Sequence, residues 1–336
     1  MRAIAKERPE PGVSIITRPE PVPGPGEVLV AVDGTGICGS DLHAYEWVPE
    51  YAWLAPHLPT VLGHEIGGRV VDANGLDVAL GVPVAVRPAV TCGRCVACQR
   101  GVSQRCPYRV RIGLERDGGL APFVVAPVEN VYALPADAGA LAPLVEPLTV
   151  AIHAARRLTL RPGAPVAIVG AGAIGLLLVE VLRAHGAGEV VVVGLTSDEE
   201  GGGLAVARSL GAVAVVAGSH EARALAGTRE GVIVAAGAPA AVLDAIALAD
   251  RGADVVVLGL GIGTTPIDVD QAVRREISVV GAFGAVPPDW LDAIGLIAAG
   301  RVTAAGIISH DVDLEDGEEA FALLAGAHAR KVVIRP

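Results

Sequence analysis

Residues 166–182 read VAIVGAGAIGLLLVEVL, and this stretch decides the fold of the middle of the chain. An apolar run typical of a buried strand precedes a G-A-G-A-I-G turn, and an apolar helical run follows it. In such a turn Gly170 makes the tight bend, and Gly172 lets backbone amides approach a pyrophosphate. Gly175 lets the helix pack closely on the strand. The strand–turn–helix order is the context that this fingerprint requires, so we expect a dinucleotide cofactor here.

The same pattern continues on both sides of the turn, from about residue 149 to residue 283. Short valine-rich segments alternate there with Ala- and Leu-rich helical stretches, such as Ile174–His185 and Leu204–Leu210. The predicted strands are Val166–Val169, Val190–Val193, Val213–Val216, Val232–Val234, Asp254–Leu258 and Ile277–Val280. Strands without polar alternation are typical of a parallel sheet covered on both faces. We therefore predict an α/β domain with a doubly wound parallel sheet.

The end of the second predicted strand bears on the choice of cofactor. An NAD-selective site places Asp or Glu there to bind the ribose 2′-hydroxyl, but Gly194 occupies the position. The hydroxyls of Thr196 and Ser197 are available to a 2′-phosphate, which favours NADP over NAD. The alternative is that Asp198 reaches back and selects NAD.

Other predicted cofactor contacts rest on position alone. We expect Ile174 to cover the nicotinamide side of the turn, and the loop at Leu258 and Leu260 to line the nicotinamide pocket. Ordinary packing at strand ends explains these residues equally well.

Four of the five cysteines fall within CGRCVACQRGVSQRC, residues 92–106. The N-terminal residues contain no apolar signal segment, so we expect a cytoplasmic protein whose thiols stay reduced. The C-x2-C-x2-C-x7-C spacing then favours a closed structural zinc site formed by Cys92, Cys95, Cys98 and Cys106. An iron–sulfur cluster is the main alternative, but its motif continues C-x3-C-P. A thiol redox site, or no metal at all, also stays open.

Composition limits the function of the remaining chain. The 336 residues carry a formal charge of −11, which argues against nucleic-acid binding. Apolar runs are interrupted before about 18 residues, so no membrane span is expected. Residues 1 to about 148 show short β-like runs between Pro- and Gly-rich turns. Residues 284–336 are too few for an independent domain and are expected to fold back onto residues 1–148.

The fifth cysteine lies in GICGSDLHAYEW, residues 36–47, upstream of LGHEIGG at 62–68. Cys38, His64 and Glu65 are metal-competent side chains near glycine-flanked turns. Read separately, they are a small buried thiol and two surface polar groups. A catalytic zinc uses a few such ligands and keeps one position open, so we predict a second metal site here.

These motifs, together with LVEPL at 144–148, resemble the zinc-dependent medium-chain alcohol dehydrogenase family over essentially the whole chain. Within it, the chain is most similar to the polyol (sorbitol) and L-threonine dehydrogenase branch. The resemblance implies a GroES-like β-barrel catalytic domain over 1–148, a Rossmann domain over 149–283, and a C-terminal return over 284–336. It also implies an active site in the cleft between the two domains.

The resemblance further implies that Cys38 and His64 bind a catalytic zinc and that Glu65 and Glu146 complete the site. One glutamate binds directly and the other exchanges with it or acts through water, and the sequence does not choose between them. Many members carry Cys where Glu146 stands; glutamate there fits the polyol and threonine branch. Read alone, Glu146 is a helix-start carboxylate before Pro147.

The reaction implied is hydride transfer from a secondary alcohol to nicotinamide, with zinc lowering the pKa of the alcohol. Ser40 is expected to accept the released proton and His43 to pass it to solvent. Asp41 is expected to orient His64. Residues 45–58, YEWVPEYAWLAPHL, are expected to line part of the substrate pocket.

Two other functions stay open: a zinc-independent quinone or enone reductase, and a non-catalytic nucleotide-binding protein of the same fold. Cys38 with His64 and Glu65 counts against the first, and nothing in the sequence looks disabled. We expect two zinc ions per chain, NADP or NAD, an alcohol or ketone substrate, and a homodimer or homotetramer. Strand 277–280 is a candidate for pairing across the interface.

Overall fold

The computed structural model describes residues 1–261, 264–326 and 329–336. The chain divides into two compact units, and each is described by itself below. The first unit comprises Met1–Glu146 and Ile308–Pro336, and the second comprises Pro147–Ile307. Strands and helices are numbered in chain order.

The first unit is mainly β. Its strands are β1 (Arg2–Lys6), β2 (Ser14–Thr17), β3 (Glu27–Gly36), β4 (Thr60–Val61), β5 (Glu65–Asp72), β6 (Pro83–Val86), β7 (Ala89–Val90), β8 (Val110–Arg111), β9 (Phe123–Pro127), β10 (Val131–Ala133), β17 (His310–Asp313) and β18 (Val332–Arg335). The main sheet has the order β10-β6-β5-β3-β18-β17, with β9 also paired to β3. A smaller sheet has the order β2-β1-β4, and β7 pairs with β8. The C-terminal strand β18 therefore lies next to β3, as a C-terminal return requires.

Short helices interrupt this β unit, and three of them carry predicted site residues. The helices are α1 (Gly39–Glu46), α2 (Val96–Gln99), the start of α3 (Ala142–Ala155) and α11 (Gly317–Ala325), with a 3-10 helix over Pro49–His57. The helix predicted near Glu318–Ala327 is thus found as α11, and Ala327 lies outside the described residues. Apolar side chains from β3, β5, β6 and β9 form one buried core of this unit. A second core joins β1, β4, α11 and β18.

The second unit is the predicted doubly wound α/β domain. Its strands are β11 (Val166–Val169), β12 (Val190–Gly194), β13 (Val213–Val216), β14 (Arg229–Val234), β15 (Ala249–Val257) and β16 (Ser278–Gly281). They pair in parallel in the order β13-β12-β11-β14-β15-β16, the order typical of a dinucleotide-binding sheet. The strand containing residues 166–169 is central, and all of its side chains are buried.

Helices connect these strands. After α3, they are α4 (Ala173–Ala184), α5 (Thr196–Glu200), α6 (Gly203–Ser209), α7 (His220–Ala224), α8 (Pro239–Leu248), α9 (Val269–Arg275) and α10 (Pro287–Ala298). No helix in the described ranges combines the length and the apolar character needed to cross a bilayer.

The unit boundaries correct the predicted domain limits. The first segment ends at Glu146 rather than 148, and the second unit extends to Ile307 rather than 283. Only Ile308–Pro336 returns to the first unit, so residues 284–307 were assigned to the wrong domain.

Helix α10 gives the physical reason for this correction. The ring of Trp290 is buried, and the neighbouring Asp289 is fully buried. Its carboxylate accepts a hydrogen bond from Arg156 and lies 3.0 Å from the imidazole Nδ1 of His153. His153 lies on the second-unit part of α3 and Arg156 directly follows that helix, so α10 belongs with them. A polar residue such as Asp289 gives no sign of this pairing in the sequence.

A stability prediction follows from Glu180, a buried carboxylate of α4. Its oxygens accept hydrogen bonds from the amides of Thr303 and Ala304 and from the Thr303 hydroxyl, at 2.8–2.9 Å. Glu180→Gln removes the charge and places a donor against these donors. We expect the free energy of unfolding to fall by about 1–3 kcal/mol. Chemical denaturation measures it; Glu200→Gln, an exposed carboxylate of the same unit, is the control. Equal midpoints for the two variants would contradict the prediction.

Candidate active site

Asp41 brings together the first two predicted zinc ligands. Cys38 immediately precedes α1, and Asp41 lies in the first turn of that helix. One carboxylate oxygen of Asp41 accepts a hydrogen bond from the Cys38 amide at 2.9 Å, and the other accepts from the Gly63 amide at 3.3 Å. The second oxygen also lies 3.3 Å from Nδ1 of His64. Asp41 thus ties α1 to the segment before β5 and faces the His64 ring; that it orients this ring stays a prediction.

The surroundings of His64 suit a cation. Burial opposes protonation of this imidazole, but the charges of Asp41 and Cys38, and hydrogen bonds to both, outweigh burial and raise its pKa well above 6.5. A buried ring between two acidic groups is a place where positive charge is stabilised. The donor set of a thiol, an imidazole and nearby carboxylates therefore fits a zinc ion.

Glu65 is held by a lysine that the sequence did not single out. The Lys331 ammonium, just before β18, lies 2.7 Å from both carboxylate oxygens of Glu65 and donates to the Ile37 carbonyl at 3.0 Å. Both side chains are almost fully buried. Burial opposes the charge on Lys331, but Glu65 more than offsets this effect and the pKa of Lys331 is raised. Both oxygens of Glu65 are therefore engaged with an ammonium group.

Glu146, on α3, belongs electrostatically to the same cluster. Burial of its carboxyl raises the pKa of Glu146 to about 7, and the nearby charge of His64 acts in the opposite direction. Glu65 and Lys331 also act on it, with opposite signs. The structure thus brings both candidate glutamates into the surroundings of Cys38 and His64.

The predicted proton-relay residues lie beside this cluster, together with a tyrosine. The Ser40 hydroxyl is 3.3 Å from Nε2 of His64. Tyr51, on the 3-10 helix, lies near Ser40, and burial raises the pKa of Tyr51 to about 12. Its ring lies 5.5 Å from that of His43. The Nδ1 atom of His43 is buried and has no hydrogen-bond partner within the described residues. Ser40 and His43 therefore flank Tyr51.

The four-cysteine lobe is the most convergent set of potential ligands. The sulfurs of Cys92, Cys95, Cys98 and Cys106 all lie within 4.8 Å of one another. None of the chain's cysteines, all of them described, forms a disulfide. Backbone amides, chiefly that of Arg94, lower the pKa of Cys92 to about 6, whereas burial and neighbouring sulfurs raise the pKa of Cys98 to about 11. Four such thiols ionise together only around a cation, which fits zinc.

Across residues 1–261, 264–326 and 329–336, only this set brings three or more potential ligand atoms so close. The potential ligand atoms of Cys38, His64, Glu65 and Glu146 do not all come within 4.8 Å of one another, as those of the four cysteines do. The position of Glu65 explains part of this difference, because its carboxylate faces Lys331.

The glycine-rich turn of the second unit has the predicted geometry. Gly170 has φ +117°, a conformation that favours glycine. A Cβ on Gly175 would lie 1.9 Å from the Gly170 carbonyl oxygen, so α4 packs against the turn as expected. A Cβ on Gly172 would have nothing within 4 Å, so the space over this residue is open. This open space lies at the start of α4, where a helix N-terminus favours phosphate.

Asp198 reaches back toward the end of β12. Its carboxylate accepts a hydrogen bond from the Leu195 amide at 2.6 Å. A Cβ on Gly194 would meet this carboxylate at 2.9 Å and the Ala171 methyl, in the glycine-rich turn, at 3.2 Å. Thr196 lies beside them in the first turn of α5. The structure therefore places a carboxylate at the strand end, where the sequence has glycine.

The remaining predicted cofactor residues lie on neighbouring loops. Ile174 is half-buried in the first turn of α4, and Ser197 is exposed on α5. The amide of Leu258 donates to the Val234 carbonyl at 3.1 Å, whereas Leu260 is exposed. The loops that follow β14 and β15 therefore pack together.

Lys331 and Tyr51 are the residues of the site that the sequence did not identify. Lys331 is a single cation before an apolar strand, and its partner Glu65 lies 266 residues away. Tyr51 falls in the segment expected to line the pocket, but the spacing did not separate it from Tyr45 or Trp53. Their roles follow from contacts that only the folded chain creates.

This fold and these ligand sets define a two-unit, zinc-binding, nucleotide-dependent dehydrogenase. Residues 24–136 match the family model of the alcohol dehydrogenase GroES-like domain, and residues 173–299 match that of the zinc-binding dehydrogenases. The chain belongs to the zinc-type medium-chain alcohol dehydrogenase family, in its polyol and threonine branch. Enzymes of this kind use NAD or NADP.

Individual relatives agree with this assignment. The chain is 34% identical to an L-threonine 3-dehydrogenase of Streptomyces avermitilis, with 99% of each chain covered. It is 34% identical to the L-galactonate-5-dehydrogenase of Escherichia coli K12, covering 93% of this chain and 90% of that protein. A solved structure from Escherichia coli CFT073, described as an alcohol dehydrogenase in complex with NADH, has a TM-score of 0.89 at 28% identity. That match covers 100% of this chain and 99% of the other.

A pair of glycine substitutions tests the nucleotide turn. Gly172→Ala adds a methyl group in open space, so the fold should persist while the methyl obstructs an incoming pyrophosphate. Gly175→Ala places its methyl against the Gly170 carbonyl, so it should lower the melting temperature instead. We expect NADH affinity to fall by about tenfold in Gly172→Ala at an unchanged melting temperature, as when one good polar contact is lost. NADH fluorescence titration and thermal melts measure both effects, and unchanged NADH affinity in Gly172→Ala would count against this turn as the cofactor site.

Proposed function

We propose that this protein is a zinc-dependent, NAD(P)-linked dehydrogenase of the secondary alcohol group of a polyol, sugar acid or hydroxy amino acid. The observation that carries the proposal is the set of contacts around Asp41 and His64: Asp41 binds the Cys38 amide and faces the His64 ring, and the Ser40 hydroxyl lies 3.3 Å from the other nitrogen of that ring. A zinc ion bound there supplies a Lewis acid that lowers the pKa of an alcohol. The relatives that act on L-threonine and L-galactonate support this range of substrates.

Cys38, His64 and Glu146 are the protein ligands that we assign to the catalytic zinc. Glu65 is the less suitable candidate because Lys331 engages both of its oxygens in a buried ion pair. Moving Glu65 to a metal would leave the Lys331 charge buried without its partner, which is strongly unfavourable. Glu65 then acts indirectly, by holding Lys331 and the start of β18 beside the site.

Ser40 accepts the substrate proton in this proposal. Its hydroxyl lies 3.3 Å from Nε2 of His64, the imidazole that we assign to the zinc ion. His43, which packs on Tyr51, then carries the proton toward solvent. A nicotinamide bound at the glycine-rich turn would accept the hydride of the carbinol carbon, and both electrons of that C–H bond would leave with the cofactor.

The four-cysteine lobe would hold the other zinc ion. A set of four thiolates leaves no ligand position open, so this ion stiffens the lobe and takes no part in turnover. The convergence of the four sulfurs supports this assignment.

Zinc counting tests the two sites separately. We expect two zinc ions per purified chain by mass spectrometric metal analysis. Cys38→Ser and Glu146→Gln should each retain one ion and lose turnover by at least about 1000-fold, because the catalytic ion is missing. Glu65→Gln should retain both ions.

Cys95→Ser is the matched control for this experiment. It should also bind one zinc ion, but its defect should be a lower melting temperature rather than an absent chemical step. Loss of an ion in Glu65→Gln with full zinc in Glu146→Gln would reverse the glutamate assignment. Full turnover in Cys38→Ser would refute the zinc-dependent mechanism.

We further propose that NAD is preferred over NADP, contrary to the expectation from Gly194. Asp198 supplies the carboxylate that the strand end lacks, and it lies next to Ala171 of the phosphate turn. A carboxylate there accepts from a ribose hydroxyl and repels a 2′-phosphate. The guanidinium of Arg208, on α6, is already paired with Glu199: two of its nitrogens each donate to a carboxylate oxygen of Glu199 at 2.8 Å.

The Asp198→Ser variant tests this preference. Removing the carboxylate should raise kcat/KM with NADP by about tenfold or more and lower it with NAD, because the repulsion and one hydrogen bond are lost together. Glu200→Gln, an exposed charge at the end of the same helix, is the control for a nonspecific effect. A wild-type enzyme that favours NADP a hundredfold would overturn the proposal.

Self-association through β16 stays a prediction. This strand forms one edge of the parallel sheet, and Val279 is exposed on it. An exposed edge strand is a ready site for pairing with a second copy. Sedimentation should show a dimer or tetramer, and Val279→Lys should shift it toward monomer. A wild-type monomer at micromolar concentration would contradict this expectation.

Substrate screening tests the activity itself. Formation of NADH or NADPH is followed at 340 nm with sorbitol, galactitol, L-galactonate, L-threonine and 2,3-butanediol. Turnover of at least one compound by the zinc-loaded enzyme, and its loss in Cys38→Ser, is the expected result. Reduction of quinones or enones by a zinc-free enzyme would support the alternative function instead.

A further inference from the structure

A guanidinium group lies at one end of the aromatic segment near Ser40. The Arg111 guanidinium, on β8, stacks 4.0 Å from the ring centroid of Trp53. Glu115 accepts hydrogen bonds from the Arg111 side-chain Nε at 2.8 Å and from its amide at 2.9 Å. The two terminal nitrogens of Arg111 make no further hydrogen bond in the part of the chain that the structure describes. Arg111 is therefore fixed in place with part of its donor fork unused.

The charge around Arg111 is positive. Burial and the charge of Arg111 lower the pKa of Arg109, so the two guanidinium groups lie close enough to repel. His57 also interacts electrostatically with Glu115. Residues 92–114 contain five arginines and no acidic residue, in a chain whose formal charge is −11. One carboxylate, that of Glu115, thus faces two guanidinium groups and a histidine, and an anion can bind there.

A continuous row of side chains connects this positive group to the proposed site of reaction. The ring centroids of Trp53 and Tyr51 are 5.6 Å apart, and those of Tyr51 and His43, which lies on α1 with Ser40, are 5.5 Å apart. Both aromatic residues lie on the 3-10 helix, and Trp53 is partly exposed. A substrate with its reacting hydroxyl at Ser40 can extend along these rings toward Arg111. The rings offer apolar faces of the kind that pack on the carbon chain of a polyol.

We propose that Arg111 binds the anionic end, a carboxylate or a phosphate, of an acyclic polyol substrate whose secondary hydroxyl reacts beside Ser40. This inference rests on the proposed function, because the reacting hydroxyl is placed by the catalytic site. Arg111 is well suited to the task because its planar fork matches the geometry of carboxylate and phosphate oxygens. The contact with Trp53 and the bond to Glu115 fix the fork before substrate binds, which lowers the entropy lost on binding.

Three compounds with a common six-carbon skeleton test the proposal: galactitol, L-galactonate and galactitol 1-phosphate. Their dissociation constants for the zinc-loaded full-length protein are measured by calorimetry in the presence of NADH, which blocks oxidation. The variants are Arg111→Met, Arg111→Lys and the control Arg100→Met, which removes an exposed charge from the same lobe. Thermal melts establish that each variant is folded.

We expect wild-type protein to bind at least one of the two anionic compounds about tenfold more tightly than galactitol. Arg111→Met should abolish this advantage and leave galactitol binding within about twofold. Arg111→Lys should retain part of it, and Arg100→Met all of it. The anionic compound that binds more tightly identifies carboxylate or phosphate as the preferred group. If the Arg111→Met protein melts at a lower temperature than wild type, the affinities of Arg111→Lys are compared with those of wild type instead.

Two outcomes would overturn the proposal: equal affinity of wild-type protein for all three compounds, or equal weakening of all three by Arg111→Met. Binding and turnover are separate measurements. Selective binding of an anionic compound without any turnover would refute the proposed dehydrogenase activity and leave Arg111 as an anion site. Turnover of galactitol with no preference for the anionic compounds would support the dehydrogenase activity and refute Arg111 as an anion site.

Discussion

The buried ion pair between Lys331 and Glu65 is the constraint on which the first unit depends. It joins residues 266 positions apart in sequence. It also connects the start of β18 to β5 across β3, the strand that lies between them in the sheet. In proteins, removing one partner of such a pair typically costs about 3–5 kcal/mol, because the other charge stays buried. Burial of the Glu65 carboxylate therefore depends on the return of the C-terminal segment that carries Lys331.

Around that pair, the first unit keeps several negative groups close together without neutralising all of them. Asp41 and Cys38 both stabilise positive charge on His64, and Glu146 lies in the same electrostatic surroundings. Lys331 compensates one carboxylate and leaves a net demand for a cation. A divalent ion satisfies this demand better than protons do, because several acidic ligands then keep their charge. The same argument applies to the four sulfurs of the cysteine lobe.

Close backbone approach is the second requirement, and glycine meets it in both units. A Cβ on Gly36 would lie 2.0 Å from a carboxylate oxygen of Glu65, so only glycine leaves room for the ion pair. A Cβ on Gly175 would strike the turn that precedes α4. The Lys331–Glu65 pair and the glycine-rich turn therefore depend on missing side chains as much as on the polar groups that are present.

The sequence by itself determined the parts of this protein that rest on local pattern. Valine-rich strands around the turn at residues 170–175 specified the parallel sheet, and spacing alone specified the sulfur cluster. Tertiary structure decided what depends on long-range contacts. It moved residues 284–307 into the second unit, because Asp289 pairs with α3, and it placed Asp198 at the end of β12. It also set Lys331 on Glu65. No periodicity records such pairings, because their partners are brought together only when the chain folds.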